Sequence, residues 1–537
     1  MRHHRMARST GGAVLGTLMA LAELGAQEPA AAPDHIGTVH FPVSCSAEAQ
    51  ARFDRAVTML HHFWTQPGSE AFAAVTAADP GCAMGYWGTA MVVRANPLVA
   101  APDSAAFRRG REAVERATAL GAPTPRERDF IAAMDAYYHE RKGGDHRSRV
   151  LAYEKAMAAV HRSHPGDREA TAFYALALLE AATVLPADSG YAREREALGL
   201  LEAVLAAEPG HPGALHYLIH ASDHPPLAAR GLAAANRYGV VSPAAPHARH
   251  MPSHVFSMLG MWEESIRANR AAIEAAPAYV HAMDFLIYAL LQEARDAEAA
   301  RVLAAADGLQ RVRASVEAQS PTGAVLSVHT AFAAIPARQA LERGAWEEAR
   351  ALEVRPAHPA ADAITRFARA MGALRSADGA AAREDLEHLR ALETDLGRSG
   401  DAFWAGQVGI QRMAVEAWVA RGEGRDDEAR RLMRAAADRE DASGKSVAME
   451  NRLWPMRELL GDLLLEVGQP AEALRAYEAS LEAAPNRYRG FLGAARAAAR
   501  AGDPARAREH YGRLLALTGG GDGARPELAE ARSYVVP

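Results

Sequence analysis

Apolar residues recur along most of this chain at helical spacing, three or four positions apart, rather than in the alternation of a half-buried strand. Three such runs are clear: residues 198–209 ("LGLLEAVLAAEP"), 232–243 ("LAAANRYGVVSP") and 265–277 ("SIRANRAAIEAAP"). Each reads as a helix closed by a proline, which can neither donate into the helix nor fit inside it. The closing residues Pro209, Pro243 and Pro277 stand 34 residues apart. A fixed period of that length predicts a helical repeat array.

The C-terminal part repeats the pattern. Gly468, Ala473 and Tyr477 recur 34 residues later as Gly502, Ala507 and Tyr511. Small residues there let two helices approach while the tyrosine fills the groove between them. One unit, "LLGDLLLEVGQPAEALRAYEASLEAAP", carries Leu460, Gly461, Gly468, Ala473, Tyr477 and Pro485. It resembles the tetratricopeptide repeat superfamily, as do "LGMWEESIRANRAAIEAAP", "ERGAWEEARALEVRP" and, more loosely, "FWTQPGSEAFAAVTAADP". The resemblance extends from about residue 44 to 518 and is closest to exported bacterial members. It implies an all-α superhelix of antiparallel helix pairs, an α-solenoid, whose concave groove holds a peptide or protein partner. The expected division is an N-terminal array over 44–356, a C-terminal array over 357–518 and a tail over 519–537, with "TGGGDG" as a flexible break before it.

Composition narrows the class. The 537 residues are 49% hydrophobic but only 6% aromatic, and the alanine-rich mix favours helices over sheets. A formal charge of −6 offers no basic footprint for nucleic acid. Past the N-terminus no apolar run is long enough to span a bilayer. The N-terminus itself has the form of an export signal: Arg2, Arg5 and Arg8, then the apolar "AVLGTLMALA" with a small-residue cut near Ala22. The expected order is a signal peptide over 1–22 and a linker over 23–43, placing the mature protein in the periplasm or outside the cell. The two cysteines, Cys45 and Cys82, form a candidate disulfide in such a compartment.

The candidate chemistry lies in the repeats after Pro209. His216 and His220 stand seven and eleven residues beyond Pro209, and His250 and His254 stand at the same offsets beyond Pro243. Residues four apart share a helix face, so stacking sets the two pairs side by side. Asp284 and Tyr288 continue the register after Pro277, while His247 and His281 occupy the fourth position of their repeats. Asp223 and His224 extend the first stripe by a turn. Neutral imidazoles suit one ion of copper, zinc or iron. His216, His220, His250 and His254 are the expected ligands, with Asp284 or Asp223 completing the shell or orienting a ring. The resemblance places His216, His220, His250, His254, Asp284 and Tyr288 in the groove; Asp223, His224, His247 and His281 are groove candidates by the same stripe and register, and Trp87, seven residues after Pro80, shares that register with a role in ligand contact open. Pro252, between His250 and His254, would kink that helix and either spoil the pair or aim His254 inward. His61 and His62 read as a surface-and-core pair at a helix end.

Three readings stay open. One is a binding scaffold whose histidine-rich groove holds a transition metal. A second is a metal-free peptide or protein-interaction module using the same groove. The third is a metalloenzyme that activates water or oxygen. No P-loop, GxSxG, HExxH or CxxC pattern assigns a reaction, and the scaffold is favoured over the enzyme. Four imidazoles meeting at one point would favour metal, an open row of side chains a peptide, and a pocket with an open coordination position an enzyme.

Overall fold

The computed structural model describes residues 35–99, 101–139, 144–444, 451–523 and 525–535. The expected signal peptide and residues 23–34 of the linker lie outside the described residues. The described residues form 27 helices and no strand, packed in neighbouring pairs. The periodic prolines act as read: the helices Ala192–Ala207, Ala228–Val241 and Trp262–Ala275 each end two residues before Pro209, Pro243 and Pro277.

The chemistry of a close-packed helix pair is plain around Tyr477. Its ring lies against Gly461 and Gly493, where an added Cβ would collide with ring carbons. Gly468 and Gly502 take left-handed backbone (φ 74° and 80°) and turn the chain from one helix into the next. Cys45 and Cys82 are joined by a disulfide with Cα atoms 5.2 Å apart. It ties the segment before Ala47–His61 to the start of Ala83–Val92.

Three features differ from the sequence reading. Buried apolar residues from Ala334 to Ala507 form one cluster, so the expected boundary at 356/357 falls inside a shared core. The expected tail carries the helix Pro526–Val535, with Leu528 and Ala531 buried. The expected flexible break is pinned: Asp522 N donates to Ala294 O (3.2 Å), and its carboxylate accepts from Ala297 N (2.8 Å).

These last contacts belong to a closure of the array. Residues from the last repeats return to the helices Trp262–Ala275 and Val280–Gln292. Trp262 Nε1 donates to Asn486 O (2.6 Å), and Tyr488 N to Gln292 Oε1 (3.1 Å). At the centre Arg487 is buried, bonded to Glu458 (2.7 Å), Glu342 (2.8 Å) and Tyr288 Oη (2.5 Å). Three polar partners compensate a charge that would be prohibitive to bury alone.

Candidate metal centre

The helix Pro212–Ser222 carries His216 and His220 one turn apart. Its neighbour in the next repeat is broken by Pro252 into Pro246–His250 and Pro252–Met258. Met251 keeps helical dihedrals (φ −52°, ψ −35°), and the break at Pro252 does not separate the rings: His250 Nε2 and His254 Nε2 are 2.9 Å apart, and His254 is buried.

The four expected ligands do not meet at one point. They divide into two pairs, each made a group of three by a histidine of the following repeat. His216, His220 and His247 form one group, and His250, His254 and His281 the other; within each, the ring nitrogens lie within 4.8 Å of one another. His216 Nε2 is 3.0 Å from His220 Nε2 and 3.1 Å from His247 Nε2. Two nitrogens bound to one ion at about 2.0–2.1 Å stand about 2.8–3.4 Å apart for angles between 90° and 109°. The observed separations of 2.9–3.1 Å are therefore close to those of cis ligands. The groups adjoin: ring centroids are 6.1 Å apart for His220 and His254 and for His247 and His250.

Outer contacts fix how the rings are protonated. His216 Nδ1 donates to the His61 carbonyl (2.5 Å). His250 Nδ1 donates to Asn269 Oδ1 (2.7 Å), whose amide is oriented by its own bond from Nδ2 to Ser265 O (2.8 Å). His254 Nδ1 donates to Asp223 Oδ2 (3.0 Å). His247 Nδ1 lies 2.8 Å from Tyr279 Oη. A neutral imidazole has one N–H and one lone pair. With their protons on Nδ1, His250 and His254 turn two Nε2 lone pairs toward each other.

Burial, reinforced by the neighbouring imidazoles, holds His216, His247 and His250 well below the ordinary imidazole range. Burial likewise lowers His220 and His281 to about 3. A phenylalanine backs each group. Phe63 lies 4.6 Å from His216 and stacks on His220 at 5.9 Å; Phe285 lies 4.9 Å from His250 and stacks on His254 at 4.8 Å. Phe63 holds a left-handed backbone (φ 52°), an uncommon state for a bulky residue.

Several expected residues lie elsewhere. Asp284, expected among the ligands, pairs with Arg338 (2.7 Å). Tyr288, expected in the groove, bonds to Arg487 and faces Arg338 and Arg487 across its ring. Trp87, also expected in the groove, is 1% exposed and packs in an aromatic cluster with Phe41, Phe130 and Phe173. His224 sits against Tyr191 (4.8 Å), outside both groups. His61 and His62 are both fully buried. His61 Nε2 and His211 Nε2 flank Glu169 at 2.9 and 3.1 Å. That third cluster satisfies its own hydrogen bonds, with His61 Nδ1 on Tyr217 Oη (2.9 Å) and His211 Nδ1 accepting from Ala214 N (3.1 Å). The six grouped histidines are at most 7% exposed, so they form a chamber, not an open row.

No protein-family model matches the chain, and no curated protein matches it. Among solved structures, the APC/C hetero-tetramer Cut9-Hcn1 is 11% identical, covering 91% of this chain and 84% of that one, with a TM-score of 0.33. Human IFIT1 dimer with PPP-AAAA is 11% identical over 77% of this chain and 87% of that one, TM-score 0.39. A tetratricopeptide repeat protein from Parabacteroides merdae is 10% identical, covering 76% of this chain and all of that one, TM-score 0.23. These similarities are too low to carry an inference; the 34-residue period and its helix pairs decide the architecture. The described residues form an all-helical array of packed neighbouring pairs with a 34-residue period. Among its described residues no helix is long and apolar enough to cross a membrane.

Proposed function

We propose that this repeat array is an exported transition-metal-binding scaffold whose metal is held by the buried histidines of the repeats following Pro209 and Pro243. One observation carries the reading: His250 and His254 both donate through Nδ1 and set their Nε2 atoms 2.9 Å apart. Neutral, they oppose two lone pairs; a cation between them converts that repulsion into two bonds. Four of the six rings have an Nδ1 contact with an oxygen atom, the usual way a metal-binding imidazole is oriented. An all-imidazole set suits copper or zinc. Export is supported by the N-terminal sequence pattern and by the Cys45–Cys82 disulfide.

The competing reading has a specific support in Asp223. A carboxylate 3.0 Å from His254 Nδ1 would also stabilise a protonated ring that donates to His250 without metal. Binding of a peptide partner along the array is compatible with either state.

The test is elemental analysis of the untagged mature protein, beside a His250→Gln/His254→Gln variant. These rings are buried, so glutamine is used to limit the cavity that alanine would leave. Copper or zinc in the parent protein, reduced in the variant at unchanged helical content, is the expected result. No metal in either, and none after titration, would leave the protonated pair as the explanation.

A further inference from the structure

The two histidine groups are copies. His216, His220 and His247 become His250, His254 and His281 when each number is raised by 34. In each, two rings come from one repeat and the third from the next, and the phenylalanines Phe63 and Phe285 back the two groups. Beside them lies a cavity with about 20 Å3 of space for the centre of a water-sized ligand, about one such ligand. It is lined by His220 and His247 of the first group, His254 and His281 of the second, and Asn96 and Thr322. His220 Nδ1 and His281 Nδ1 are buried without a hydrogen-bond partner, and both side chains line this cavity.

We infer that the centre is dinuclear: two ions, each held by three imidazoles, share one exogenous ligand of one or two atoms, such as dioxygen or hydroxide, bound in the cavity between the groups. This rests on the metal reading above. Three ring nitrogens leave each ion an open position, and the cavity is where residues of both groups meet a common space. The space for water-sized centres suits a ligand of one or two atoms.

Charge selects the ion. Six neutral rings bring no negative charge, and Asp223 is the carboxylate in contact with them. The cost of burying an ion rises as the square of its charge, so two dications weigh about four times as heavily as two monovalent ions. Imidazole ligands also suit copper. Copper(I) is therefore the resting ion, and an anion entering the cavity would accompany any dication.

The experiment loads the full-length chain anaerobically with copper(I), counts copper per chain, and titrates carbon monoxide, a two-atom probe that leaves the copper(I) oxidation state unchanged. Infrared spectroscopy reads the bound C–O stretch. The expected result is two copper ions and one carbon monoxide per chain. Ala278→Val, which places two further carbons at the cavity wall, should retain both ions and lower carbon monoxide affinity at least tenfold. Ser327→Val, at another lining residue, serves the same purpose should the first variant not fold. His281→Ala should leave one ion. One ion per chain in the parent protein, or two ions that take up no carbon monoxide, overturns the dinuclear inference while the metal site stands. Unchanged affinity in a folded, two-ion cavity variant overturns the assignment of the ligand to this cavity. No copper uptake overturns the dinuclear copper(I) inference, and no uptake of zinc either overturns the metal reading with it.

Discussion

Asp223→Asn separates the metal site from a metal-free ion pair. The native carboxylate accepts from His254 Nδ1 at 3.0 Å, so it orients a ring of the second group and raises its basicity. Asparagine keeps an acceptor of the same shape and removes the charge. Loss of an oriented acceptor behind a ligating imidazole weakens binding about 10- to 100-fold, which is about 1.4–2.7 kcal/mol. The effect should fall on one ion of two, because in the first group His216 and His247 take their outer contacts from the His61 carbonyl and Tyr279 instead, and His220 Nδ1 has no hydrogen-bond partner. Competition against a chelator of known affinity resolves the two binding steps, and thermal melting of the metal-free protein follows the fold. The weaker step should loosen 10- to 100-fold, with the tighter step within about twofold. The reasoning fails if metal affinity is unchanged while the metal-free variant loses about 3–5 kcal/mol, the cost of stranding one partner of a buried ion pair.

Three further outcomes follow from the fold. His62 is held down to about 4 by burial, with Nε2 on Ile36 O (2.6 Å) and Nδ1 on Tyr238 Oη (2.7 Å). The unfolded chain protonates near 6.5 while the folded one does not, so its contribution is present above pH 6.5 and is lost as pH falls toward 4. Urea unfolding of the metal-free protein should show the stability gap to His62→Gln narrowing by about 3 kcal/mol over that window. Arg487→Met strands Glu342 and Glu458 and should cost about 3–5 kcal/mol; adding Glu342→Gln and Glu458→Gln should recover most of it in the same assay. Cys45→Ser opens a loop of 37 residues' separation and should lower stability by about 4 kcal/mol on the chain-entropy account, measured by denaturant unfolding without reductant.

The repeat frame was legible because its determinants are local. A proline past each helix and small residues facing Tyr477 act within one unit, so a 34-residue spacing carries them without knowledge of the rest of the chain. The shared register of His216, His220, His250 and His254 was legible for the same reason. The grouping was not, because the third member of each group crosses a repeat boundary. His247 and His281 stand at the fourth position of their repeats, and sequence offsets do not say how far one repeat rises over the last. Asp284 and Tyr288 were misplaced by a longer-range effect. They hold the histidine register, but closure of the array brings Arg338 and Arg487 onto them. Trp87 shares the register too, yet stands where residues 35–43 lay Phe41 against it. His61 and His62 were half misread because the same segment and Tyr238 cover His62, while Glu169 and Tyr217 enclose His61.

The boundaries of the repeat also explain why there are two groups and not one or three. A group needs histidines at the seventh and eleventh positions of one repeat and at the fourth of the next. Two consecutive repeats supply the first requirement, after Pro209 and Pro243, and their successors supply His247 and His281. On the N-terminal side the series stops at Gly213, the fourth position after Pro209, where a Cβ would collide with the His61 ring. No side chain fits there, and the ring that takes the space belongs to the residue whose carbonyl orients His216. On the C-terminal side it stops because the seventh and eleventh positions are Asp284 and Tyr288, committed to the arginines that close the array. The two groups that remain are packed against Phe63 and Phe285 and against the residues lining the cavity beside them, among them Asn96, Pro321, Thr322 and Ser327. A solenoid ordinarily leaves its concave face open; here burial keeps the rings neutral with lone pairs available to a cation.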